Sequence, residues 1–272
     1  MKKYRFLILR RFVQLGLLAL YFMANYAGWK LLQGNLSSSL LLEKVPLSDP
    51  FATLQLFVAG GALGINVIIG AFIIFFIYAI FAGRAFCSFV CPLNIVTDFA
   101  NFLHRKFGIN RLKHNISLSK NVRYWMIALS LILSAIFGIA AFEAISPIGM
   151  LHREIIFGAG FGLAIVFAIF LFDLFGQSHG FCGHICPVGG FYSLVGRFSF
   201  IKVKYHDEKC TKCMECRVIC PENQVLEIVG KGESGFIVSG ECTRCGRCVE
   251  VCESDALDFS IKSFVLSQKD KK

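Results

Sequence analysis

Two runs near the end of the chain, Cys210-Thr-Lys-Cys213-Met-Glu-Cys216-Arg-Val-Ile-Cys220-Pro221 and Cys242-Thr-Arg-Cys245-Gly-Arg-Cys248-Val-Glu-Val-Cys252-Glu253, decide how this sequence folds there. Each spaces four cysteines as C-x2-C-x2-C-x3-C, and the first closes with proline. Three thiolates in so tight a turn can cap one face of an iron–sulfur cubane, and the fourth of each run reaches across to the other cluster. The spacing therefore assigns Cys210, Cys213, Cys216 and Cys252 to one [4Fe–4S] cluster, and Cys242, Cys245, Cys248 and Cys220 to a second. Structural zinc favours paired C-x-x-C units and disulfides need an oxidising compartment, so both are weaker readings. The expectation is a small α+β bacterial 2[4Fe–4S] ferredoxin-like domain over residues 201–272. Glu253, standing where proline is usual, touches only the turn after Cys252. From Asp207 to Asp258 six basic residues meet eleven acidic ones, a net charge near −5. Such a surface suits a basic redox partner, or plain solvation.

Upstream of Phe200 the composition changes. The 272-residue chain is 56% hydrophobic and only 17% charged, with a mean hydropathy of +0.63. Soluble domains carry about 25% charged residues, so an ordinary soluble protein is excluded. Four apolar runs account for the excess: Phe12 to Trp29, Phe57 to Ala82, Tyr124 to Phe142 and Ile155 to Phe175. Each is long enough to cross a bilayer core of about 30 Å. Lys2, Lys3, Arg5, Arg10 and Arg11 precede the first run, and 83–123 carries seven Lys and Arg against Asp98 alone. Both segments are expected on the cytoplasmic side, with the charge-poor loops 30–56 and 143–154 outside. The first run lacks a clear cleavage site and is read as a helix, not a removed signal. The net charge of +10 thus orients helices, and nucleic acid is not an expected partner. The expected fold is a membrane all-α bundle of four transmembrane helices over residues 1–200, with the N- and C-termini cytoplasmic.

The bundle repeats itself. Gly83-Arg-Ala-Phe-Cys87-Ser-Phe-Val-Cys91-Pro92 and Gly180-Phe-Cys182-Gly-His-Ile-Cys186-Pro187 lie 95 residues apart, with Pro50 and Pro147 at similar distances upstream. Two repeated hairpins packed side by side would bring Cys87, Cys91, Cys182 and Cys186 together, near His179, His184 and Arg84. They form a candidate further redox, metal or docking site, with helix packing as the plain alternative. No histidine lies within the four runs, which argues against a bis-histidine haem there. Asp173 and the set Glu143, His152, Arg153 and Glu154 are scarce ionisable groups near the bilayer, hence functional candidates or solvated helix ends. Asn25, Asn66 and Gln14 read as interhelical hydrogen-bond partners. A transporter is disfavoured, because no charged path crosses the midplane.

With the hairpins, the outer-loop segments Gly34-Asn-Leu-Ser-Ser-Ser-Leu and Pro46-Leu-Ser-Asp-Pro50, the CxxxCP motifs and the double cysteine run together, the chain resembles the NapH family over nearly its whole length. That resemblance implies a quinol dehydrogenase subunit of the bacterial inner membrane, with quinol as redox substrate. It also implies a periplasmic polyferredoxin partner of NapG type, and electrons passing towards a periplasmic nitrate reductase with a membrane multihaem cytochrome as a further carrier. A second class is a maturation or anchoring protein that delivers cytosolic electrons to a respiratory metalloenzyme. The inner clusters and an outer acceptor would stand about 30 Å apart, with no recognised carrier between them.

Overall fold

A computed structural model describes residues 4–107, 119–158 and 160–261. Lys2, Lys3, Arg111, Lys113 and the C-terminal residues invoked for topology lie outside those ranges. The first apolar run is one helix, α1 (Arg5–Ala27), which starts within the basic flank. Its 23 residues span about 35 Å at 1.5 Å per residue. Among the described residues it is the one single helix long and apolar enough to cross a membrane, or one of two if the bent pair Ile65–Phe81 and Gly83–Val90 counts as a span.

The segment after α1, expected as a plain loop, is an antiparallel sheet of β1 (Leu32–Gly34), β2 (Ser38–Leu41) and β3 (Val45–Ser48) in that order. Asn35 makes the first turn by accepting from the Ser37 and Ser38 amides, each at 2.9 Å. Leu42 and Glu43, both at positive φ, make the second.

The duplication is structural. Helix α2 (Pro50–Val58) opens with Asp49 accepting from the Ala52 amide at 3.0 Å, and α7 (Pro147–Phe157) opens with Ser146 accepting from the Gly149 amide at 3.4 Å. In both, proline at the first helical position gives up only an amide that has no helical partner. Next come α3 (Ile65–Ile77) with the π turn Tyr78–Ala82, and α8 (Gly162–Leu171) with the π turn Phe172–Gly176. Each half then makes a second π turn, Phe86–Val90 or Phe181–Ile185, before Cys-Pro leads into α4 (Leu93–Lys106) or α9 (Pro187–Gly196). Between the halves run α5 (Val122–Phe137) and the short α6 (Ala141–Ile145). Three apolar runs are therefore interrupted where a continuous helix was expected: at 59–64, at 138–140 and at 158 and 160–161. Each break carries glycine, which hydropathy does not penalise and helix propensity does.

The described chain forms two compact units. One comprises 13–76 and 90–191. Inside it Tyr21, Leu32 and Ile156 pack together, and Phe51 meets Phe142 and Phe191. Gln55, fully buried, accepts from the Phe142 amide at 2.9 Å. The other unit comprises 4–12, 77–89 and 192–261. Its sheet has the order β5 (Gly235–Phe236), β4 (Ile201–Tyr205), β6 (Leu257–Ile261), all antiparallel, with Val203 opposite Phe259 and Tyr205 opposite Leu257. Val203, Tyr205, Leu226 and Leu257 are buried against Cys216 and Cys248 of α10 (Glu215–Ile219) and α11 (Arg247–Val251).

Candidate metal centre

The two cysteine runs adopt one conformation twice. Lys212 and Met214 stand at φ 58° and 61°, and their counterparts Arg244 and Gly246 at 52° and 77°. The left-handed residues curl the chain around its own sulfurs and end at the start of α10 and α11. Glycine takes this conformation without strain, so Met214 carries in the first run a cost that Gly246 spares the second. Amides turn inward to the thiols: Lys212 donates to Cys210 Sγ at 3.4 Å and Ala256 to Cys252 Sγ at 3.3 Å. The Arg217, Glu222 and Arg244 amides serve Cys216, Cys220 and Cys242 in the same way. Asp255, at φ 51°, closes the turn after Cys252 that lacks a proline.

The thiols fall into two neighbourhoods. Burial raises the Cys216 pKa, and Cys252, Cys213 and Cys210 raise it further. Burial likewise holds Cys248 well above the thiol range, with Cys245, Cys242 and Cys220 adding to it and Cys216, of the other set, adding least. Cys220 is raised by burial and then by Cys245 and Cys242. Thiols crowded in a poor solvent ionise reluctantly alone, and become thiolates where positive charge is supplied at their centre. Cys220, Cys242, Cys245 and Cys248 also line one cavity, closed by Val203 and Ile237. Among the described residues no three His, Cys, Asp or Glu side chains close on a point as ligands of a single ion do. Thiolates around a cubane, whose irons sit at separate corners, need no such convergence, so these residues fit an iron–sulfur cluster.

The two neighbourhoods differ in exposure. Cys213 is exposed and its counterpart Cys245 is buried. Lys212 is exposed, whereas Arg244, at the same position of the second run, is 5% exposed. Arg244 donates through Nε to Ile201 O at 2.7 Å, and through Nη2 to Gly196 O at 3.0 Å and to the Ser199 hydroxyl. Residues 83–88 close over this second run. Ser88 Oγ donates to Thr243 O at 2.7 Å, and Arg84, 1% exposed, pairs with the equally buried Glu222 and donates to Glu241 O at 3.1 Å. Gln224 bridges the Glu222 and Glu241 carboxylates at 2.7 Å each. Sequence reasoning placed Arg84 beside the CxxxCP cysteines. The structure buries it against the loop of Cys242. The adjacent Gly83 was the local signal, since a β-carbon there would strike the Arg244 guanidinium.

Tyr205, also missed, is fully buried and donates to Asp207 Oδ1 at 2.7 Å while accepting from the Gly230 amide at 3.1 Å. Of the CxxxCP cysteines, Cys87 and Cys182 sit on matching π turns and are half-buried, while Cys91 and Cys186 follow those turns and are buried. Cys87 belongs to the unit that holds the ferredoxin-type runs, and the other three to the second unit. There, Cys182 Sγ lies 3.9 Å from Thr97 Oγ1, and Gln14 donates to Cys91 O at 3.3 Å. His184 meets Gln177 at 2.9 Å, and the His179 amide donates to Asn101. Asp173 is fully buried and accepts from the Phe181 amide at 3.1 Å. Gln14 thus makes the expected contact between elements, while Asn25 and Asn66 are exposed. Of the set Glu143, His152, Arg153 and Glu154, Glu143 accepts from Ser37, and burial raises its carboxyl. His152 is buried edge-on to Tyr21 at 4.8 Å, and burial lowers its pKa to about 4. Glu154 accepts from the Gly162 amide at 2.6 Å, a cap for α8, and Arg153 is exposed.

Comparison with known proteins agrees with this division. A family described as a 4Fe-4S binding domain matches twice, over 63–110 and 158–205, once for each CxxxCP half. A 4Fe-4S dicluster domain matches 202–253. The ferredoxin-type protein NapH of Haemophilus influenzae is 41% identical, over 95% of this chain and 90% of its own length. NapH of Escherichia coli is 39% identical over 96% and 91%. The methylamine utilization ferredoxin-type protein MauN of Paracoccus denitrificans is 41% identical over 86% and 83%. No solved structure matches. With paired cysteine turns on a duplicated framework and identity of this extent, the chain is a ferredoxin-type iron–sulfur electron-transfer protein and belongs to the NapH family.

Proposed function

We propose that this protein is a multi-pass subunit of a quinol dehydrogenase in the bacterial inner membrane, with four spanning segments and both termini in the cytoplasm. It passes electrons from the quinol pool towards a periplasmic nitrate reductase through a NapG-type polyferredoxin, with a membrane multihaem cytochrome as a further carrier. The carrying observation is the pair of matching cysteine turns. In this reading Cys210, Cys213, Cys216 and Cys252 hold one [4Fe–4S] cluster, and Cys220, Cys242, Cys245 and Cys248 the other. Two such clusters supply two one-electron acceptors, the number that oxidation of one quinol to quinone and two protons requires.

The membrane reading is supported by outward apolar side chains: Phe12 and Leu15 on α1, Phe72 on α3, Trp125 and Ile136 on α5, and Phe167 on α8 are 57–76% exposed. Exposed apolar surface on so many helices suits lipid. Asp173 stands where the last apolar helix ends and can take a proton from bound quinol. The CxxxCP cysteines serve in this reading as one further redox or docking unit. A second reading, electron delivery to a metalloenzyme under assembly, is favoured by the equal identity to MauN, whose name points to a different system.

The test is anaerobic purification with neighbouring subunits, followed by quinol addition. Eight irons with equal sulfide, and bleaching of the clusters by quinol, are expected. Cys87→Ser and Cys186→Ser should each stop quinol bleaching without loss of iron, and the double variant should do no worse. Clusters that ignore quinol but accept electrons from a soluble cytosolic donor would favour delivery.

A further inference from the structure

The two cysteine turns share a backbone and differ in charge. At the third position of each run stands a cation, exposed as Lys212 in one and buried as Arg244 in the other. Over the second run lies another buried cation, Arg84, carried there by a segment more than a hundred residues earlier in the chain. Its carbonyl partner is Glu241, the residue before Cys242, and its carboxylate partner is Glu222, two residues after Cys220. Both ends of the second ligand set are thus tied to one guanidinium. We infer that Arg84, with Arg244, sets the reduction potential of the centre held by Cys220, Cys242, Cys245 and Cys248, and so brings that buried centre within reach of a quinol donor. This rests on the two-cluster reading above.

Adding one electron to a cluster adds one negative charge. Burial opposes that, because little solvent remains to stabilise the charge, and the second turn is the buried one. Alone, this would push its potential below that of the first turn. Positive charge fixed nearby acts in the opposite sense, and strongly, because water does not screen it there. Glu222 offsets part of the Arg84 charge, so its removal should act oppositely. Lys212, in water, is screened and should matter little. The electron enters and leaves the cluster with no bond made or broken there; the quinol donor loses two O–H bonds, releasing two protons and giving one electron to each of two clusters.

The test is a redox titration of the full-length protein, followed by the paramagnetic signals of the reduced clusters. Arg84→Gln should move the midpoint of one centre to more negative potential and leave the other in place. Arg84→Lys should restore most of the shift, Glu222→Gln should move the same centre to more positive potential, and Lys212→Gln should move neither. Loss of the other signal in Cys213→Ala identifies which centre responds. If Arg84→Gln loses its clusters, the sign of the Glu222→Gln shift decides. Equal shifts of both centres, no shift in either, or shifts of the wrong sign would overturn the inference. Iron and sulfide well below eight per chain in the unaltered protein would instead overturn the two-cluster reading beneath it.

Discussion

Glu222→Ala should be among the most damaging single replacements outside the cysteines. It removes the carboxylate from a pair whose side chains are 1% and 2% exposed, leaving the Arg84 guanidinium buried with only part of its bonding met. Removing one partner of a buried pair costs about 3–5 kcal/mol, far more than the pair itself contributes. The exposed pair Lys30–Glu43, at 71% and 47% exposure, is the internal control, and Glu43→Ala should cost under about 1 kcal/mol. With a urea slope of about 2 kcal/mol/M, the loss at Glu222 moves the unfolding midpoint down by roughly 1.5–2.5 M. The assay is anaerobic urea titration of purified protein, read by the visible absorbance of the clusters. Arg84→Met with Glu222→Leu should recover much of the loss, because no charge is then stranded. A Glu222→Ala midpoint within 0.3 M of the unaltered protein, a bound set as roughly the scatter of such titrations, would refute the reasoning. So would a double variant equal to the sum of its singles.

Gly83→Ala places a β-carbon against the Arg244 guanidinium at a left-handed position, so it should cost about 1–3 kcal/mol and disturb the signal of one cluster, not both, in paramagnetic resonance. His152, its folded-state pKa lowered to about 4, makes stability fall as pH drops from 6.5 towards 4, because the unfolded chain binds the proton more readily across that window. His152→Phe should flatten this dependence in thermal unfolding at successive pH values. Glu143, raised by burial, acts oppositely above about 4.5, so Glu143→Gln should steepen the acid loss.

The cysteine turns were legible because cluster ligation is a local spacing rule, and the 95-residue repeat because it preserved Cys, Pro and their intervals. Helix ends were less so. Hydropathy runs straight through Gly60-Gly61 and Gly158, where the backbone breaks. The sheet at 32–48 escaped because its strands are three or four residues long, too short for alternation to register. Its turns were signalled only by Asn35 and by nothing at Leu42-Glu43, a pair that seldom adopts positive φ. Arg84 was visible as a residue but not in its role. Its partner is 138 positions away, and no pattern within a window connects the two.

That separation has a temporal side. At 5–20 residues per second the ribosome needs roughly 7–28 s to travel from Arg84 to Glu222. Throughout that interval the guanidinium has no carboxylate to meet, and Gly83 has no guanidinium to leave room for. The segment 83–88 cannot make these contacts until residues 222–244 have been made. The second turn, residues 242–252, is made later still, and Ser88 meets its Thr243 partner only after 155 further residues. The residues that cover the second turn are thus among the early ones of the chain, and that turn can be enclosed only once residues 222–244 have been made.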